Sequence, residues 1–283
     1  MAKTSWKPFP HSAADYDFAG ADLQKHWLRL HQGDREPYPA PAQLKKLVAA
    51  HPDLVPAKPL DKAAEILQAA WRAYHRGDFA DAVDLGLSVG RLGFNVANKS
   101  ANIYATYLER ARKSKLAILQ ETARRAEELQ VRAPSLPNAW YLYAQALGRY
   151  AQEVSVASAL AEGLGGKIKT ALERTLALDA RHADAHIALG AWHAEVIDKI
   201  GGLIGRVTYG ASQDAAVKHF ETARKLNPDS AIARIEYANG LVMMSGEAEM
   251  ARATRLYQDA AKCTPHDAME RLDVELARAE LAD

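Results

Sequence analysis

The sequence predicts an all-α chain, a solenoid of repeated antiparallel helix pairs, and three observations predict it. Ala and Leu are abundant while Val and Ile are sparse, a balance that favours helix over sheet. Residues 183 to 228 read as two helices making one unit. The first puts His186, Leu189, Gly190 and His193 on one stripe; the second puts Ala216, Phe220 and Ala223 on another and stops at Pro228. The unit also returns. Trp140, Tyr143, Ala144 and Leu147 stand 46 residues before the first stripe, and Tyr237, Ala238 and Leu241 stand 48 after it.

Large, large, small, large, then small, large, small and a proline is the tetratricopeptide (TPR) pattern. Its small residues have a physical role. Gly190, Ala216 and Ala223 remove bulk where helix backbones must approach, and Leu189 and Phe220 fill the space beside them. The predicted architecture is an all-α, TPR-like α-solenoid of about five helix pairs, with a Pro-rich N-terminal arm over residues 1–58. The repeat domain spans 59–283 and ends in a capping helix.

In chain order, the arm holds eight of the twelve prolines, Pro8, Pro10, Pro37, Pro39, Pro41, Pro52, Pro56 and Pro59 at its boundary. Short helices are expected within 19–34 and 41–53, the second with Pro41 in its first turn. Trp6, Phe9, Tyr16, Phe18 and Trp27 are too many aromatics for a disordered tail. An ordered arm that caps the first repeat or lies in the groove is therefore expected. The first repeat, 61–95, pairs a helix lined by Ile66, Leu67, Ala70 and Tyr74 with one lined by Ala82, Gly86 and Val89, around the turn RGDF. The second spans 98–134. The third begins at PNAWYLYAQALGRY, the fourth is the unit of residues 183 to 228, and the fifth begins at IARIEYANGLVM. Periods of 46 and 48 exceed the ~34 of a standard unit. The excess lies in two glycine-bearing apolar inserts, 155–167 and 198–212, each between the two helices of its repeat and each expected to form a helix extension or flap.

Bulk properties narrow the function classes. A length of 283 residues suggests about two ordinary domains, a rule that repeat arrays escape. A net charge of +1 gives no electrostatic footprint for nucleic acid or an anionic membrane. Cys263 is the sole cysteine, which excludes an intrachain disulfide and a Cys-based zinc centre. No signal-peptide core and no run of ~18 apolar residues is present, so a cytoplasmic protein is expected.

The stretches ETARRAEELQVRAPSLPNAWY, KIKTALERTLALDARHADAHIALGAWHAEV and AVKHFETARKLNPDSAI, with the stretched third and fourth repeats in that order, resemble the regulator of microtubule dynamics family. The resemblance runs from about residue 61 to the end. It implies an all-helical solenoid without catalytic residues, acting through protein contacts. Animal members of that family are associated with microtubules and organelle membranes. Residues 1–58 do not look like that family's amino-terminal region, and the Ala/Arg-rich composition points to a bacterial relative, for which microtubules are not a partner.

In a TPR frame, positions 2, 5, 9, 12 and 13 of each first helix face the concave groove. These are Trp71, Tyr74 and His75 in the first repeat, and Asn138, Tyr141, Gln145 and Arg149 in the third. Asp184 and Glu195 follow in the fourth, and Ile235 and Asn239 in the fifth. Aromatics, amides and an arginine suit an extended peptide or a helix, so the expected partner is a protein or peptide, with no cofactor. Some of these residues would instead pack on the arm if it fills the groove. The competing class is a metal-dependent or hydrolytic protein built on His186, His193 and Glu195, with His182 four residues before His186. Against it, His186 and His193 take packing positions and no HExxH is present. AEGLGGKIKT lacks the GxxxxGK[ST] of a phosphate loop and follows no strand. Cys263, with no base identifiable beside it, is expected to be a buried thiol.

Overall fold

The structure, a computed structural model, describes residues 6–282; the first five residues of the expected arm and Asp283 lie outside that range. Helices follow one another through the chain, with no strand among the described residues. Tertiary contacts divide it into two compact units. The first comprises residues up to His31, then Arg35–Glu153 and Asp267–Met269; the second comprises Gln32–Asp34, Val154–His266 and the residues from Glu270 onward.

In the first unit the arm supplies α1 (Asp22–Leu30) and α2 (Pro41–Ala50), and Pro41 occupies the first turn of α2 as expected. The repeats follow as α3 (Leu60–Arg76) with α4 (Phe79–Leu87), α5 (Phe94–Tyr107) with α6 (Arg112–Arg132), and then α7 (Pro137–Glu153). Between α3 and α4, Gly77 adopts φ +93° while its N–H donates to Tyr74 O and the Asp78 N–H donates to Ala73 O. Two otherwise orphaned carbonyls are thereby satisfied, and the left-handed residue that closes this helix end is a glycine. The second repeat begins earlier than its pattern suggests. A 3₁₀ turn over Gly90–Gly93 leads directly into α5, and Gly86 and Gly93 bring two backbones into contact there: a Cβ added to Gly93 would collide with the Gly86 carbonyl. α2 packs on the repeats, where Leu47 and Val48 meet a core of Leu54, Leu129, Ala133 and Ala139.

In the second unit α8 (Val156–Ala161) and α9 (Leu164–Leu178) precede α10 (Ala183–Ile200), α11 (Gly202–Tyr209), α12 (Gln213–Leu226), α13 (Ala231–Ser245), α14 (Met250–Ala261) and α15 (Ala268–Glu280). The two inserts are short helices, α8 and α11: α8 precedes and packs on α9, and α11 lies between α10 and α12 in the chain and packs on α10. The pairing expected within the third repeat is not made, and α7 packs on α6 instead. Start signals are local. Ser155, Ser212 and Ser230 side chains accept the N–H groups of Ser158, Ala215 and Ala233, and His182 Nδ1 accepts that of Ala185. The core centres on Phe220, fully buried with Ala216, Tyr237, Ala238, Leu241, Ala253 and Leu256.

Candidate functional site: the first-helix faces

Along α3, the residues Gln68, Trp71, Arg72 and His75 recur at helical spacing and form one stripe, and α5 offers Asn95 and Asn102 likewise. α7 offers Asn138, Tyr141, Gln145 and Arg149. In the first unit these faces hold the arm. Gln68 Nε2 donates to Pro39 O at 3.1 Å, Arg72 Nε to Phe18 O at 3.0 Å and Arg72 Nη2 to Gly20 O at 2.8 Å. Three backbone carbonyls in the irregular stretches on either side of α1 are thus satisfied by side chains of a repeat helix.

The aromatic part of the contact is dense. Trp27 stands edge-on to Trp71 with ring centroids 5.7 Å apart, and stacks on His31 at 4.0 Å. Its indole N–H donates to Glu36 O at 2.6 Å, which folds the arm back on itself. Trp71, Tyr74 and His75 are buried. His75 Nδ1 lies 2.8 Å from Asp267 Oδ2 and its Nε2 lies 3.3 Å from His31 Nε2. His75 thus links Asp267 to His31 in a continuous buried chain of polar contacts. Farther along, Trp6 stacks on Tyr104 at 4.2 Å.

Of the other expected groove residues, Asn138 is buried and donates to Glu36 Oε2 at 2.6 Å; Tyr141 is buried and its hydroxyl accepts from Gln145 Nε2 at 3.2 Å. Gln145 and Arg149 are half-buried, and Arg149 Nη1 reaches Gln152 at 3.1 Å. In the second unit Glu195 and Asn239 are half-buried, with Asn239 Oδ1 accepting from the Tyr257 hydroxyl at 2.6 Å. Asp184 lies against Gly33 and donates its backbone N–H to Gly33 O at 3.1 Å. Ile235 is in the core, packed with Ala231, Ala260, Val274 and Ala277. Gln68, Arg72, Asn95 and Asn102 were not picked out by the repeat frame. Asn95 fell at the end of the first repeat because the frame started α5 at residue 98.

The histidines of the second unit gather differently from the sequence expectation. His186 Nδ1 is 2.8 Å from His219 Nδ1, and the His193 and His219 rings stack at 6.0 Å; His219, from α12, joins the set. His182 stands apart as the N-cap of α10. His186 Nε2–H faces Ala180 O at 3.2 Å, so its Nδ1 accepts from His219, while His193 Nδ1 accepts the Ser212 N–H at 3.3 Å. Burial holds all three toward the neutral form: His193 is pushed down to about 4, helped by Lys169, and His219 to about 4, helped by His186, His193 and Lys218. Among the described residues no three His, Cys, Asp or Glu side chains are arranged to hold a metal ion. Cys263 is half-buried, and burial raises its thiol, which disfavours the nucleophilic thiolate. No described helix is long and apolar enough to cross a membrane.

No family model and no curated protein matches this chain. Among solved structures it is similar to TTC0263, a thermophilic TPR protein of Thermus thermophilus. That likeness has a TM-score of 0.54 at 16% identity and covers 77% of this chain and 99% of the other. It establishes the fold alone: an all-α, TPR-like helical repeat.

Proposed function

We propose that this chain is a non-enzymatic protein-interaction scaffold that holds a peptide or a segment of a partner protein on the first-helix faces of its repeats. One observation carries the reading: Gln68 and Arg72 already grip backbone carbonyls of the irregular stretches flanking α1 of the arm, while Trp71 and His75 pack on Trp27 and His31 of the arm. Backbone capture plus an aromatic anchor is how grooves of this kind hold a peptide. Trp71, His75 and Asn138 serve the arm in this arrangement, Tyr74 and Tyr141 stand beside them on the same helices, and Gln145 and Arg149 extend the face of α7 for a partner. Glu195 and Asn239 belong to the corresponding faces of the second unit. Likeness to the regulator of microtubule dynamics family and a cytoplasmic setting belong to the same proposal.

A second reading, an architectural subunit permanently filled by its own arm, is favoured by the continuous Asp267–His75–His31 chain. A pull-down from native lysate separates the two, comparing the wild type with a folded Gln145→Ala/Arg149→Ala variant. A protein retained by the wild type and lost by the variant supports the scaffold. Identical retention by both, or none by either, contradicts it.

A further inference from the structure

The arm presents a carboxylate to two successive repeats. Asn95 Nδ2, from α5, lies 3.0 Å from Glu36 Oε2 and 3.3 Å from Oε1, and Asn138 Nδ2, from α7, lies 2.6 Å from Oε2. Two neutral amides converge on one acid, and hydrogen bonds of this kind are stronger to an ionised acceptor than to a neutral one. Nine residues earlier along the arm, Trp27 is the buried aromatic anchor, and its indole bond to Glu36 O sets the distance between anchor and acid. Among the described residues, however, the buried acceptors Asn95 Oδ1 and Asn102 Oδ1 meet no donor. The arm answers the Asn95 and Asn138 donors and leaves the Asn95 acceptor unanswered, while Asn102 gives its amide N–H groups to Leu142 O and Gln145 Oε1 of α7. The open acceptor at Asn95 is a mismatch in a place where buried polar groups are ordinarily paired.

We infer that this face of the first unit is a recognition site for an acidic peptide segment with an indole anchor about nine residues before its carboxylate, and that the arm is a copy of that ligand supplied in cis. The inference rests on the scaffold reading and names the partner's chemistry. A ligand from another protein reproduces the Trp27 and Glu36 contacts and adds an amide or backbone N–H for Asn95. The arm competes with it at the high effective concentration of a tethered segment, so occupancy in trans depends on how firmly the arm is held.

The test uses the full chain and a fluorescein-labelled synthetic peptide of residues 19–40, read by fluorescence anisotropy. A Trp27→Ala/Glu36→Ala chain weakens the arm without touching the groove. It should bind the peptide saturably and at least about tenfold more tightly than the wild type does. Asn138→Ala added to that chain, or a lysine in place of the glutamate in the peptide, should abolish the gain. Should the double variant lose its helical circular dichroism, Glu36→Ala alone, a change at a half-buried side chain, carries the same comparison. A folded variant that binds no better than the wild type overturns the inference, as does binding indifferent to Asn138 or to the peptide's acid. That result beside a partner still sensitive to Gln145 and Arg149 would remove the acid-reading site and leave the scaffold reading standing.

Discussion

Phe220 shows how single residues set the geometry of the second unit. Its ring is fully buried and lies between two glycines: a Cβ on Gly190 would stand 2.8 Å from it, and one on Gly240 2.7 Å. α10 and α13 can both close on α12 only because neither carries a side chain there. Gly190→Leu should therefore destabilise by about 1–3 kcal/mol through overpacking, read as a lowered Tm, with Gly190→Ala intermediate. An unchanged Tm would contradict this packing. The neutral histidines give a second outcome. Unfolded histidine titrates near 6.5 and folded His193 and His219 near 4, so between these values the unfolded state binds more protons. Their contribution is complete above about pH 6.5 and declines as pH falls toward 4. In urea titrations at about pH 7.5, 6 and 5, the wild type should lose more stability on acidification than His219→Gln; equal losses would contradict the assigned protonation states.

At the scale of elements, the proline start and the first turn were legible because they are local. Pro41 at the start of α2 and the RGDF turn follow from backbone chemistry that any neighbour sees. Gly77 adds a tertiary reason, since a Cβ there would lie 2.6 Å from the Phe9 ring of the arm. Gly77→Ala should accordingly lower Tm by more than the ~1 kcal/mol that a left-handed position alone costs. Loss no greater than that would mean that Phe9 does not rest there. The inserts were legible as additions, from the stretched period, but the choice between helix and flap was not: α8 has six residues and α11 eight, too short for a periodic signal. α11 exposes Leu203 and Val207 at 79% each and Ile204 at 58%, and turns Gly205 inward. Leu203→Ser with Val207→Ser should leave the thermal midpoint within the equivalent of about 0.5 kcal/mol, as for surface changes generally. A larger loss would show that this face is covered.

At the scale of the whole molecule, the repeat pattern announced the fold because the alternation of large and small residues at 140–147, 189–193 and 237–241 is what stacking helix pairs requires. The candidate site was less legible. The frame singled out Trp71, Tyr74, His75 and Asn138 as expected groove positions; that the arm meets Trp71, His75 and Asn138 could not be read, since no periodicity links Trp27 to Trp71 or Glu36 to Asn138. Such contacts depend on a fold-back of the arm, and only three-dimensional placement reveals them. Hydrogen–deuterium exchange of the full chain, followed by mass spectrometry over residues 14–40, tests most directly whether the first-helix faces hold polypeptide. In the wild type, α1 and the segment up to residue 40 should be protected. Asn95→Ala with Asn138→Ala should accelerate exchange there by about tenfold or more and leave α10 and α12 unchanged. Free-peptide exchange of the arm in the wild type would contradict the account.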